Sequence, residues 1–466
     1  MSKYIKYISS DHFGAPIMKG DRWGYCVEML RKCLVEGFNE HTDLIRAEVI
    51  DVDKVKYTFT TPHNYVANQT IKISNISFPE LNGDVFIISS DDNSVTCKPY
   101  TNVSGMVGQV IDNITAKAIV APLGFKEKFK DGNRSVFVTD EDTENAYFYI
   151  DDTEPSSGWK AANGNTNLIS PLVFMCDKMS DIDTVTGRNI MPYDINAVDN
   201  YKTRGYTYSG QLKNGIWNFL TFGILSTNDF PNNATEQAKP IKYNIIGNGR
   251  IFYFLPTLNS GNSGQTRTLL YGYGKINTIV SSDFTKNYML IANQQFTNRS
   301  VFSYERLYYN DIVLPITNIS QITEAGRAYP TKTGTNWYGI LDVKGDTKSF
   351  RCFTTNVNMA TNIILISGNI GSYPNQFDKK YYISKIRMYI DNDYYGDLSG
   401  LMWTHNSANL FFVNGSIIKS KYNNKDKYLF VYNEMMNTHP QLAIGYSVPK
   451  FIYNISLDYS DWNNYE

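Results

Sequence analysis

The sequence is short of the residues that staple, anchor or metallate a chain: it carries 5 cysteines and 5 histidines in 466 residues. Cys26, Cys33, Cys97, Cys176 and Cys352 are odd in number and form no C-x-x-C pair. Cys26 and Cys33 stand two helical turns apart, roughly 10 Å along an axis, which is too far for a disulfide. Free thiols made in a reducing cytoplasm are the expectation. His12, His41, His63, His405 and His439 show no clustering with one another or with cysteine, and without that clustering no metal ligation is expected. No segment approaches the run of about 18 apolar residues that a spanning helix needs. The first twenty residues (MSKYIKYISSDHFGAPIMKG) lack the apolar core of a signal peptide, so the expectation is a soluble chain made in the cytoplasm and not exported by a standard route. Neither sign of charge dominates. Lys plus Arg number 44 against 45 Asp plus Glu, a net charge of -1, so no long-range field draws the chain to nucleic acid or to an anionic membrane.

Catalytic signatures are also missing. There is no G-x-S-x-G elbow, no P-loop, no G-x-G-x-x-G after a strand and no H-E-x-x-H. Tyr271-Gly272-Tyr273-Gly274 lacks the lysine and following helix of a phosphate cradle, and is expected to be a strand end where small residues let backbones approach. Asp391, Asp393 and Asp397 in DNDYYGD have part of a calcium loop's carboxylate spacing but not its closing glutamate. Asp181 and Asp183 in SDIDTVTG form a shorter acidic turn, and for both the expected role is a solvated strand end. His63, in TTPHNY, is expected to be a turn residue whose imidazole bonds the backbone. No cofactor site and no catalytic pair is selected.

What is present is aromatic and strand-forming. The chain has 35 Tyr and 25 Phe against 6 Trp and is 42% hydrophobic, a composition suited to half-buried strand faces and to wet interfaces. Residues 1–20 predict an extended arm, because the residue before Pro16 is pushed from helical geometry. A single helix follows, with Asp21 as N-cap, Trp23, Cys26, Val27, Leu30, Cys33 and Leu34 on one face, and Gly37 at its end. Beyond it, short apolar runs alternate with turns. Asn-Gly pairs at 82–83, 163–164, 214–215, 248–249 and 414–415 mark hairpins, the last within LFFVNGSIIKS. The polar stretches at 155–167, 257–267 and 421–427 predict long loops. No alternation of strands with long helices appears, which excludes a parallel α/β architecture. The aromatic run KKYYISKIRMYI (379–390) predicts core and subunit-interface packing, with glycan binding as its rival.

The predicted fold is mainly β, with several antiparallel sandwich- or barrel-like domains, one N-terminal helix and long polar loops. The length calls for two to four domains. They are placed as an arm and helix at 1–45, a small β-module at 46–118, a β-sandwich at 119–279, and strands at 280–466 that complete or extend the sandwich.

Within 46–118, the run AEVIDVDKVKYTFTTPHNYVANQTIKISNISFPELNGDVFIISS resembles a small β-module of phage tail and virion proteins, with its Thr-x-x-His turn at 60–63, its TIKI strand at 70–73 and its LNG at 81–83. Further landmarks follow in order: APLGF at 121–125, AYFYIDD at 146–152, SDIDTVTG at 180–187, KPIKYNIIGNGRIFYFLP at 239–256, LLYGYGKI at 269–276 and GDLSGLMWTHN at 396–406. The series resembles an uncharacterised virion structural family of tailed bacteriophages, found in tail and baseplate gene clusters. No landmark falls between about 276 and 385. The resemblance implies a non-enzymatic virion component of the tail, baseplate or neck, homo-oligomeric, whose partners are copies of itself and other virion structural proteins. Tyr4, Ile5, Tyr7 and Ile8 are the candidate interface residues, because an apolar arm is costly to expose and an extended strand can add to a neighbour's sheet. A receptor- or glycan-binding tail or head-fibre protein is the alternative, and a polysaccharide-degrading enzyme, which needs two carboxylates about 5 to 10 Å apart, is third.

Overall fold

A computed structural model describes residues 5–19, 22–140, 146–153, 171–176, 178–186, 190–191, 220–222, 239–259, 266–268, 271–275, 287–294, 336–342, 347–349, 351–353, 383–390, 393–404, 417–422, 425–434, 451–457 and 462. Among these the protein is mainly β, with antiparallel sheets, a six-stranded barrel and one helix. The predicted positions Tyr4, Asp21, Asp391, His405 and His439, and the Asn-Gly pairs at 163–164, 214–215 and 414–415, lie outside the described residues.

Strand β1 (Lys6–Ser9) precedes helix α1 (Tyr25–Arg31), which runs into a π turn at Lys32–Glu36. Cys26, Val27, Leu30, Cys33 and Leu34 are buried as their spacing predicts, and Met29 joins them. Gly37 ends the turn with φ 83, and a Cβ there would lie against the carbonyl oxygen of Val120, so both its conformation and its contact favour glycine. The N-terminal cap residue is Gly24.

The barrel consists of β2 (Phe38–Asp51), β3 (Lys54–Phe59), β4 (Thr70–Ser74), β5 (Gly83–Ser90), β6 (Ser94–Pro99) and β7 (Val110–Val120), closed in the order β2-β3-β6-β5-β4-β7. Closure removes free edges. In β3 the alternation is complete: Val55, Tyr57 and Phe59 point inward and are buried, while Lys54, Lys56 and Thr58 are partly exposed. Asn82-Gly83 is not the predicted two-residue turn. Ile73 pairs directly with Gly83, and the connection at 75–82 is closed by the Asn82 side chain, which accepts from Ile76 N at 2.9 Å and donates to Ile76 O at 2.7 Å. The asparagine thus acts through its amide group, as its turn preference allows.

A fourteen-stranded sheet follows. Its members in chain order after β1 are β8 (Lys126–Asp131), β9 (Arg134–Val138), β10 (Tyr147–Asp151), β11 (Leu172–Cys176), β12 (Ile190–Met191), β13 (Leu220–Thr221), β14 (Lys242–Gly247), β15 (Ile251–Asn259), β16 (Thr266–Thr268), β17 (Tyr271–Lys275), β18 (Asn287–Gln294), β19 (Asn336–Asp342) and β20 (Thr347–Ser349). The main path is β1-β14-β15-β17-β18-β13-β11-β10-β9-β8. Both faces are covered around β10 and β11, so Leu172–Cys176 is buried throughout. Phe148, Ile150, Val173 and Met175 join the core shared with the barrel, while Val136, Tyr149, Phe174 and Cys176 form a second cluster on the other face. The Asn248-Gly249 pair does join a hairpin, β14 to β15. Gly249 has no positive φ there, and the turn is instead closed by the Asn248 side chain, which accepts from Arg250 N at 2.9 Å and Ile251 N at 3.2 Å.

Strands β21 (Arg351–Phe353), β22 (Ile383–Ile390), β23 (Asp393–Thr404), β24 (Ile417–Tyr422), β25 (Lys425–Glu434) and β26 (Phe451–Ser456) make a third sheet, ordered β21-β22-β23-β26-β25-β24. It meets the large sheet where the Tyr253 hydroxyl donates to Ser399 O at 2.8 Å and where the Tyr253 ring lies 5.5 Å from that of Trp462. One continuous apolar cluster runs from the barrel interior (Val49, Tyr57, Ile71) through the helix (Leu30, Leu34) to the large sheet (Phe252, Phe254, Tyr273). Each such side chain contributes about 1.5–3 kcal/mol on burial.

Candidate functional site

The arm predicted to seek a neighbour has a partner within its own chain. Residues Lys6, Tyr7, Ile8 and Ser9 pair antiparallel with Gly247, Ile246, Ile245 and Asn244. Ile5 and Ile8 are buried. Tyr7 is half-buried: its hydroxyl donates to Asn244 Oδ1 at 3.1 Å and its ring lies 5.3 Å from Phe430 and edge-on, at 5.3 Å, to His12. The three described candidate interface residues therefore sit in the fold itself.

Sequence patterning missed Lys6. It is buried among the apolar arm residues, with Nζ 2.6 Å from the Asp84 carboxylate of the barrel and donating at 2.5 Å to Pro122 O. Burial pushes its ammonium below the ordinary lysine value, and Asp84 opposes that shift. The signal was a lone cation between Tyr and Ile in an otherwise apolar strand. Its partner, 78 residues on, is legible only in three dimensions.

After β1 the chain stays beside β14. Ser10 N donates to Tyr243 O at 2.9 Å, the Tyr243 hydroxyl to Pro16 O at 2.7 Å, and Ile241 N to Met18 O at 2.7 Å. A tight turn interrupts this course. His12 is buried and its Nδ1 accepts from Ser9 N at 3.2 Å, while His12 N donates to Ser9 O at 3.0 Å. Burial holds the imidazole pKa down at about 4, with Asp11 pulling the other way.

A second histidine turn closes one end of the barrel. His63 is 1% exposed, and its Nδ1 accepts from Tyr65 N at 2.9 Å, as the TTPHNY motif predicts. Its ring stacks on Tyr65 at 5.2 Å and lies 4.8 Å from Phe59. His41 approaches Tyr65 edge-on and sits with Nδ1 3.3 Å from Asp43 Oδ1. Burial raises the Asp43 carboxyl, but donation from the Thr61 and Thr60 hydroxyls and from Thr61 N outweighs it and brings the pKa to about 2. Both threonine hydroxyls are directed at the carboxylate and neither at an imidazole, so neither is arranged as an activated nucleophile.

The helix is held by two further groups that no local pattern indicates. The buried Asp152 carboxylate accepts from Cys26 N at 2.9 Å and Val27 N at 3.3 Å, which supplies the helix cap from a residue 126 positions away. Arg31, also buried, donates to Glu127 at 2.7 Å, Ser135 at 3.0 Å, Gly132 O at 2.7 Å and Arg134 O at 2.9 Å, and so fastens the helix to the β8–β9 hairpin.

The acidic turn at 180–186 behaves as a strand-end turn. Asp183 N donates to Asp181 Oδ1 at 2.8 Å, and Asp183 pairs with Arg134. Asp393 and Asp397 stand in β23, paired across the hairpin with Ile390 and Arg387. Among the described residues no three His, Cys, Asp or Glu are grouped to hold a metal ion, and no helix is long and apolar enough to cross a membrane. Cys26, Cys33, Cys97 and Cys176 are buried and form no disulfide with one another.

No family model matches the sequence, and no curated protein matches it. Among solved structures the chain is similar to the phage phi92 endosialidase, at 10% identity and a TM-score of 0.14. The alignment covers 90% of this chain and 52% of that one, so the chain spans about half the neighbour's length. A likeness at this level does not establish a shared fold.

Proposed function

We propose that this chain is a structural component of a tailed-phage virion, of the tail, baseplate or neck, that acts by protein-protein contact and not by catalysis. The observation that carries the proposal is where the fold places its buried ions. Lys6 joins the arm to the barrel, Arg31 joins the helix to the β8–β9 hairpin, and Asp152 joins the helix to the end of β10. Each is engaged in holding elements together. In such a scaffold the surrounding structure fixes rigid surfaces, and copies arranged about a closed rotational axis form repeated contacts with one another and with other virion proteins. The ordered sequence landmarks, which resemble those of virion structural proteins, favour the same assignment.

The test is cryo-electron microscopy of purified particles of the phage that encodes the chain, with mass spectrometry of the same particles. Density for the chain in a symmetric tail, baseplate or neck ring is the expected result. Its presence at fibre tips alone would replace the proposal with receptor or glycan binding, and its absence from particles would replace it with a soluble activity.

A further inference from the structure

The two histidine turns share one construction and touch through a short chain of contacts. In each, Nδ1 of a buried imidazole accepts a backbone N–H: Ser9 N to His12 at 3.2 Å, Tyr65 N to His63 at 2.9 Å. An accepting Nδ1 holds a lone pair, so the ring proton is on Nε2 and the ring is neutral. For His63, Nε2 is itself buried without a hydrogen-bond partner. Protonation at Nδ1 would set two donors against each other at both sites, and burial gives the new charge no solvent. Asn39 of β2 links the two turns. Gly14, two residues beyond His12, has φ 71 and lies with its Cβ position 3.2 Å from Asn39 Cβ. Asn39, itself at φ 54, donates its amide to His63 O at 3.1 Å and accepts from the Tyr65 hydroxyl at 2.8 Å.

We propose that His12 and His63 form an acid-released latch that holds the amino-terminal arm against β14 and the barrel. The neutral rings close both turns. When the rings charge, the His63 turn opens and frees Asn39, the His12 turn opens and frees the end of β1, and the strand Lys6–Ser9 leaves the sheet edge. The ionisable groups facing these rings set the pH of release. His12 faces Asp11, which is paired with Lys242 of β14, and Tyr7 of β1. His63 faces Tyr65 of its own turn, His41 and Asp43 of β2, and Asp91 of the β5–β6 turn. For His63, burial is the largest influence and with His41 opposes the charge, while the Ser94 backbone, Asp91 and Asp43 favour it. The direction is fixed: both rings are harder to protonate folded than unfolded, so the latch is fully closed above the ordinary histidine value of about 6.5 and loosens as pH falls toward about 4.

The test is hydrogen exchange by mass spectrometry of the full chain from pH 7 to pH 4, corrected for intrinsic exchange rates, on peptides from the arm and from the barrel. Arm amides of β1 are expected to lose at least tenfold in protection across that range, while those of β3 and β6 keep theirs. The double variant His12→Asn, His63→Asn supplies a non-titrating oxygen near each Nδ1 and is expected to keep arm protection at pH 4. Equal loss in the variant, or no loss in the wild-type chain, overturns the proposal. Should the variant not fold, carbon-13 histidine titration of the wild-type chain decides. Two midpoints coinciding with arm release support the latch, and titration of both rings while the arm stays protected sinks it.

Discussion

At the scale of single residues, the chain uses carboxylates as connectors. Asp152 reaches the helix N-terminus, where unpaired N–H groups and the helix dipole favour a negative charge. Asp152→Ala is expected to cost about 1–3 kcal/mol, since the cap is lost and two buried donors are left unpaired. Urea unfolding of the two proteins, compared at equal m-value, measures it. Asp43, like the histidines, is held below its ordinary value, but by hydrogen bonds that favour its charged form and not by burial that opposes it. Its carboxyl sits at about 2, below its ordinary value of 3.8, so its contribution is complete above the ordinary value and lost as pH falls toward 2. Carbon-detected titration is expected to place the midpoint near 2, and Asp43→Asn to flatten the stability profile between pH 4 and pH 2. A midpoint at the ordinary aspartate value would show that the Thr60 and Thr61 bonds are not made in solution.

At the scale of elements, the large sheet shows how close approach and edge protection are built into the sequence. The run Tyr271–Lys275 is buried throughout because both of its faces are covered. The tyrosines fill the core, with Tyr273 stacked on Phe148 at 4.8 Å and donating to Ala146 O at 2.6 Å. Directly after Tyr273, Gly274, at φ 150, lets the backbone of β15 come so near that a Cβ would overlap the Arg250 carbonyl oxygen and Ile251. Gly274→Ala is therefore expected to destabilise by more than about 2 kcal/mol, through strain as well as overlap, read as a drop in denaturation midpoint. At the other end of the path, β8 is an edge strand that exposes Lys126, Lys128 and Lys130. Lysines on an edge discourage pairing with another chain. The double change Lys128→Val, Lys130→Val is expected to produce concentration-dependent aggregation by light scattering at a protein concentration where the wild-type chain is clear.

At the scale of the whole molecule, the arm is the junction between barrel and large sheet, and Lys6 is its ionic contact. Its ammonium and the Asp84 carboxylate are both largely removed from water. Removing one member of such a pair leaves the other uncompensated, so Lys6→Ala is expected to cost about 3–5 kcal/mol, and replacing both by apolar residues of similar volume to cost far less. A double-mutant cycle in chemical denaturation separates the two. A small effect of the single change would mean that Asp84 regains solvent when the arm is truncated.

The features legible from residue order are local. Period-two alternation in Lys54–Phe59 and the three- and four-residue spacing of Cys26, Val27, Leu30, Cys33 and Leu34 specify strand and helix, because side-chain direction repeats with the backbone. The His63 turn was equally legible, since its acceptor and donor are two residues apart. Asn82 and Asn248 were recognisable as turn residues, but whether each would act by backbone conformation or by side chain depended on how far apart its flanking strands lay. Only the packing brings Asp152 to the helix N-terminus, Lys6 to Asp84, and the arm to β14 of the same chain. The reason is physical: a buried charge is satisfied by whichever opposite or donating group the packing brings within hydrogen-bond distance, and separation along the chain carries no record of that distance.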